Sequence, residues 1–208
     1  MKLNNERLPN KNTKSFDNGY PLCHYVLDAL KKVIEIDDIY VYCSNPSIKN
    51  YIPSGIKFLQ RSKDLDTSNT SMNEVLNHFA KDVDSDIYLL THATSPFVQS
   101  TSIRDALKKV TSGEYDSALA VQKIQEFLWS NGSPLNYNLD NIPRTQDLPE
   151  LFAETSGFYI FDKNHILNYN RRIGFNPYLK IVNKIEAVDV DDEDDFNIAN
   201  SIFNSLFR

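Results

Sequence analysis

The order of the hydrophobic periods limits the fold of this chain more than any other feature. Helical spacing and short continuous apolar runs take turns from one end to the other. Leu22, Tyr25, Val26, Ala29, Leu30 and Val33 recur every three or four residues, so residues 21–34 are expected to form an amphipathic helix. Residues 39–43 read as a buried strand and residues 56–59 as a short second one. Ser71 and Glu74 make a Ser-x-x-Glu capping pattern that opens a helix reaching Ala80. A strand at 87–90, a helix at 101–110 and a strand at 117–121 follow. Residues 122–156 read as irregular, with Asn131 and Gly132 as a hairpin turn. Strands are expected at 157–161 and 184–190. Phe196, Ala199, Ile202, Phe203 and Leu206 predict a closing amphipathic helix. This alternation predicts one α/β domain across residues 1–208. One irregularity stands out. Such folds usually open with a hydrophobic strand, whereas Met1, Lys2 and Leu3 run straight into Asn-Asn-Glu-Arg. Either the fold opens with a helix, or its first strand is truncated in this sequence.

Composition excludes several classes. Six glycines in 208 residues rule out collagen-like and linker-type chains. No apolar run approaches the roughly 18 residues of a bilayer span, so no membrane partner is expected. The polar start, residues 1–12, does not read as a secretory signal. Cys23 and Cys43 sit in apolar segments with no metal-type spacing, which makes a reduced, cytoplasmic setting the expectation. The net charge of −6 is local: residues 186–195 hold seven acids and no base, and the rest carries 22 basic and 21 acidic residues. The bases form no stripe, so no nucleic-acid partner is expected.

Four segments have chemistry to offer. The first, residues 2–12, places Lys2, Arg7 and Lys11 on one polar stretch. Three cations there suit a polyphosphate, although a floppy charged terminus has the same composition. It contains no glycine, so any phosphate grip must rely on side chains. The second is the acidic segment. In an extended chain Asp189 and Asp191 point to one face and could hold Mg²⁺, or they form a solvated acidic loop. Asp192 and the acids after it have a sufficient structural role as the N-cap and first turn of the last helix. The third, residues 90–96, follows a strand, where open α/β sheets bind ligands, and offers His92 and Thr94. The fourth, residues 143–149, sets Arg144 and Gln146 between prolines, either as an acid-binding loop or as a simple connection.

In this order the segments resemble the cytidylyltransferases that make CMP-activated sugar acids, the acylneuraminate type most of all. Arg7-Leu8-Pro9-Asn10-Lys11-Asn12 is similar to the family's Arg-x-Pro-x-Lys-Asn loop. Ala93-Thr94-Ser95-Pro96 is similar to its Pro-Thr-Ser-Pro segment. Arg144-Thr145-Gln146-Asp147-Leu148-Pro149 is similar to its Arg-x-Gln-x-Leu-Pro, and Gly157-Phe158-Tyr159-Ile160-Phe161 to its Gly-x-Tyr-x-Phe strand. Asp189-Val190-Asp191-Asp192-Glu193-Asp194-Asp195-Phe196 is similar to its Asp-x-Asp-x-x-Glu-Asp-Phe end. The resemblance implies a Rossmann-like, mixed and mostly parallel sheet flanked by helices, of the nucleotide-diphospho-sugar transferase type. Residues 122–156 would then be a dimerisation or sugar-side insertion, with Phe127, Leu128 and Trp129 at a homodimer contact or in a satellite core cluster.

The resemblance also implies an activity: CMP passes from CTP to the anomeric hydroxyl of a 2-keto sugar acid, and pyrophosphate leaves. Arg7, Lys11 and Asp191 would be catalytic. Lys2, Leu3, Asn4, Arg7, Lys11, Asn12 and Arg61 would bind the nucleotide. His92, Thr94, Arg144 and Gln146 would bind the sugar acid, and Asp189 and Asp191 would hold Mg²⁺. The chain departs from the pattern in places. Leu3 and Asn4 replace two glycines. His92 replaces a glutamine, Ser156 an asparagine and Val98 a common arginine. Two other readings therefore stay open: a domain of this fold without turnover, and an enzyme using another nucleotide or a sugar phosphate.

Overall fold

A computed structural model describes residues 1–3, 5 and 7–207. The first helix, α1 (Leu22–Lys31), follows extended Pro21 and buries one stripe that includes Leu22, Cys23, Val26 and Leu30. β1 (Tyr40–Cys43) and β2 (Lys57–Gln60) then pair in parallel, with Tyr40 opposite Lys57. α2 (Met72–Asp82) begins where the Ser71 hydroxyl accepts from the Glu74 amide at 3.2 Å, as the capping pattern predicts. β3 (Ile87–Thr91), α3 (Ser100–Thr111) and β4 (Ser117–Ile124) follow. A small hairpin, β5 (Trp129–Ser130) with β6 (Ser133–Pro134), turns on Asn131 and Gly132. Both turn residues have positive φ, 50° and 77°, a backbone shape that asparagine and glycine adopt most readily. The chain closes with β7 (Leu151–Asp162), α4 (Lys163–Leu167), β8 (Pro177–Ile181) and α5 (Glu193–Leu206).

The larger sheet has the order β3-β7-β4-β8. β7 is antiparallel to both neighbours, and β4 and β8 are parallel. β3, β4 and β8 therefore share one direction and the sheet is mixed. Helices cover both faces. On one, α1 and α3 bury Val26, Leu30, Ile103 and Ala106 against Ala118, Ala120, Phe158 and Ile160. On the other, Leu76 and Ala80 of α2 and Ile166 of α4 pack on Tyr88, Leu119, Tyr159 and Phe161. A third cluster joins the two ends of the chain: Leu8, Phe16 and Leu22 meet Val190, Phe196 and Phe203.

Two expectations need correction. Residues 184–190 form no strand; the Asn183 side chain accepts from the amides of Ile185 and Glu186 and folds them into a turn. The strand lies earlier, at β8. Its half-exposed residues are those of an edge strand, whose first position tolerates proline. Residues 122–156 are also more regular than expected. β4 extends to Ile124 and β7 starts at Leu151, so the two pair well beyond the core. Among the described residues, no helix is long and apolar enough to cross a membrane.

Candidate active site

The site forms because the third cluster pulls the chain ends together. Leu8 and Val190 are both buried in it, which brings the N-terminal loop against the acidic segment. Asn10 sits at φ 56°, which lets the chain tighten into the 3-10 turn Lys11–Thr13. Outside the apolar contact, Lys14 pairs with Glu193 at 2.5 Å, and its ammonium lies 4.3 Å from the centre of the Phe196 ring.

On this frame the Arg7 guanidinium donates to Asp191 Oδ2 at 3.2 Å, and Lys11 Nζ donates to Asp191 Oδ1 at 3.1 Å. Burial works to raise the Asp191 carboxyl, but the bond and charge of Lys11 and the charge of Arg7 outweigh it. They hold the group below its ordinary value. Lys11 is buried and Arg7 is exposed, so one cation is fixed and the other is free to swing. Asp191 is held in place from behind, because the Asp195 carboxylate accepts from its amide at 2.9 Å. Asp192 and Asp195 form a reciprocal capping box on α5, the structural role expected of those acids.

Asp189 is bound differently. Ser156 donates to its Oδ2 at 2.7 Å, while Oδ1 is buried with no partner. Asp189 and Asp191 belong to an extended segment outside any strand, docked by the bond from the Val190 amide to the Thr94 carbonyl at 2.8 Å. Both carboxylates line one cleft with Lys2, Lys11, Asn12, Arg61, His92 and Thr94, as the alternation predicts. His92 is the odd member. Burial, then the Arg172 charge, pushes its imidazole down to about 4, against a smaller upward pull from Asp189. The ring is neutral at pH 7. Arg172 itself lies 4.0 Å from the Tyr159 ring centre and 3.9 Å from Glu154.

The orphaned Asp189 Oδ1 fits a divalent cation, which binds oxygen ligands and needs only one or two carboxylates when a substrate brings phosphates. Among the described residues no group of three or more His, Cys, Asp or Glu is placed to hold a metal.

The other expected residues fall in several places. The Lys2 carbonyl accepts from Asn12 Nδ2 at 2.7 Å, so Asn12 fastens the loop as well as lining the cleft. Arg61 is buried, bonds Asp66 at 2.5 Å and leaves Nε without a partner. Leu3 faces a smaller cavity of about 440 Å³ beside Ser44 and Lys63. Asn4 lies outside the described residues. Arg144 and Gln146 are not brought in: both are exposed, and Arg144 pairs with Asp147 at 2.7 Å in its own short turn. Two cleft residues escaped sequence reasoning, Ser156 as the partner of Asp189 and Asn5, whose buried Oδ1 has no partner. The departure at Ser156 was the one signal available for the first. Asn5 had none beyond its polar loop.

The fold is a mixed α/β sheet with helices on both faces, and its cleft is lined by Lys11, Arg61, Asp189 and Asp191 together. The solved CMP:2-keto-3-deoxy-manno-octonic acid synthetase complexed with CTP superposes with a TM-score of 0.75 at 13% identity, covering 99% of this chain and 96% of that one. A family model described as cytidylyltransferase matches residues 1–200, and the chain belongs to that family. An N-acylneuraminate cytidylyltransferase of Streptococcus agalactiae serotype V is 25% identical over 200 residues, 91% of this chain and 48% of the relative. One from Oncorhynchus mykiss is 27% identical over 166 residues, 75% of this chain and 38% of the relative. The chain thus spans about half the length of the first of these relatives, and less of the second.

Proposed function

We propose that the chain transfers CMP from CTP to the anomeric hydroxyl of a 2-keto sugar acid. The sugar oxygen bonds to the α-phosphorus, the bond from that phosphorus to the bridging oxygen breaks, and pyrophosphate leaves with the hydroxyl proton lost. The observation that carries this reading is the meeting of Lys11, Asp189 and Asp191 at one cleft, with Arg7 bonded to Asp191, although they come from opposite ends of the chain. The names of the relatives and the CTP-bound neighbour support it.

The two cations rest on Asp191. A triphosphate entering the cleft would draw Arg7 and Lys11 onto its oxygens and release both oxygens of Asp191. Asp189 Oδ1 and the freed Asp191 would hold Mg²⁺, which neutralises phosphate charge when bound. Lys11, already buried, is the pre-positioned donor, so it loses little freedom on binding. The protein works by placement and charge and needs no covalent intermediate. His92, neutral and beside Asp189, would donate or accept a hydrogen bond at the sugar acid, with Thr94 close by.

We place the protein in the cytoplasm, supported by two free, buried cysteines. We place it there as a homodimer, supported by the exposed Trp129, Leu135, Leu139 and Ile142 on the arm around the β5–β6 hairpin.

The test is pyrophosphate release from each of the four ribonucleotide triphosphates with a panel of sugar acids, with and without Mg²⁺. Release confined to CTP, a keto sugar acid and Mg²⁺, and abolished by Asp189→Asn, is expected. Nucleotide binding without release would point to a domain lacking turnover. Release with another nucleotide or a sugar phosphate would replace the substrate assignment.

A further inference from the structure

Two adjacent arginines follow α4, and the fold treats them differently. Arg171 turns back on its own loop, donating to the Ile173 carbonyl at 2.5 Å and the Gly174 carbonyl at 2.8 Å. The loop is then clamped to the start of β4. Asp116 accepts from the amides of Phe175 and Asn176 at 2.6 and 2.9 Å, and Ser117 Oγ accepts from the Gly174 amide at 2.8 Å. Gly174 comes so close that a Cβ there would lie 2.2 Å from Asp116 Oδ1, which leaves no room for a side chain. This scaffold fixes the backbone that carries Arg172. The Arg172 guanidinium lies 4.0 Å over the centre of the Tyr159 ring, and the side chain is only 25% exposed. Glu154 Oε2 is 3.9 Å away, too far for a hydrogen bond, and already accepts from the Tyr159 hydroxyl at 3.0 Å. Among the described residues this guanidinium makes no hydrogen bond.

A largely covered guanidinium with uncommitted N–H groups is a recognition element in waiting. Other arginines of the site are already engaged, Arg7 with Asp191 and Arg61 with Asp66. Arg172 stands at the His92 end of the cleft. Tyr159, beneath it, meets the His92 ring edge-on at 6.4 Å, and His92 lines the cleft with Ser156 and Asp189. The charges of Arg172 and Asp189 act with opposite sign on both His92 and Tyr159, so the two groups flank the same rings. An acid entering between them would face the carboxylates of Asp189 and Glu154 and needs a cation to offset them. The geometry points to Arg172 as the residue that recognises the carboxylate of the acceptor, donating to both of its oxygens through the guanidinium fork. Stacking on Tyr159 and the clamped loop hold the fork in place, so little freedom is lost on binding. Arg172 thereby selects acids over neutral sugars of the same shape. The inference rests on the proposed reaction for its acceptor class, a sugar acid, and assigns to Arg172 the role that the sequence pattern had offered to Arg144.

The test compares the parent with Arg172→Gln and Arg172→Lys. The probes are N-acetylneuraminic acid and 2-keto-3-deoxy-manno-octonic acid, each beside its methyl ester, which keeps the sugar and removes the charge. Binding is read by saturation-transfer NMR without nucleotide, so turnover is not needed. The parent should prefer at least one acid over its ester by on the order of 10–10²-fold. Arg172→Gln should bring that ratio to about one while leaving ester binding, CTP binding and Tm unchanged. Arg172→Lys, which keeps the charge without the fork, should fall between the two and decides the matter if the glutamine variant misfolds. An unchanged ratio, an equal loss of acid and ester binding, or a parent without acid preference overturns the assignment. Pyrophosphate release from CTP is scored separately. An acid preference that depends on Arg172 in a parent without release keeps the assignment and removes the reaction; release with a ratio indifferent to Arg172 does the reverse.

Discussion

His92 offers the sharpest test of the cleft's electrostatics. Its imidazole lies at about 4 in the folded chain, against an ordinary 6.5, chiefly because burial disfavours the charged ring. The folded value is the lower one, so the unfolded chain takes up the proton first as pH falls. Stability owed to this group is complete above about pH 6.5 and drains away between about 6.5 and 4. At about pH 4.5 the loss should be about 2–3 kcal/mol, since each pKa unit is worth about 1.4 kcal/mol. Other carboxylates titrate over part of this range, so the comparison must be with His92→Gln, which keeps hydrogen-bonding capacity and cannot take the proton. Urea unfolding at about pH 7.5 and pH 4.5 measures both proteins. The parent should lose about 2–3 kcal/mol more than the variant between the two conditions. Equal losses would refute the reasoning. They would mean that the upward pull of Asp189 cancels burial and Arg172, and a smaller loss in the parent would mean that Asp189 outweighs them and the pair is ionic.

Three further outcomes follow from the geometry. Lys11→Met keeps the buried stem but removes the ammonium at 3.1 Å from Asp191, so pyrophosphate release should fall by on the order of 10²-fold or more, with little change in Tm. Asp192→Ala removes the side-chain acceptor of the Asp195 amide at 3.0 Å and should cost about 1 kcal/mol in urea unfolding. Trp129→Ser acts on an exposed ring in the hairpin arm. Sedimentation should show weaker self-association with an unchanged fold, and an unchanged dimer would remove that surface from the contact.

The helices were legible because amphipathicity and capping are local. The stripe of α1, the Ser71 cap of α2 and the capping box of α5 each depend on residues within a turn or two of one another. Patterning failed where a distant partner decided the outcome. β8 reads poorly because an edge strand is half exposed, and residues 184–190 imitate a strand although Asn183 turns them. The family pattern pointed to both walls of the cleft, since cations and carboxylates carry their chemistry wherever they sit. Arg144 shows the limit of that reasoning: its charge was visible, but its pairing with the near neighbour Asp147, out in solvent, was not.

The sequence by itself determined the alternation of helices and strands, the charge of the two end segments and the residue types available to the site. Only the tertiary structure decided that Arg7 meets Asp191 across 184 positions, that one oxygen of Asp189 stays unpartnered, and that His92 is neutral. The physical reason is range. Propensity and periodicity act over a few residues, whereas burial, ion pairing and strand edges depend on neighbours that only the packed apolar clusters bring together.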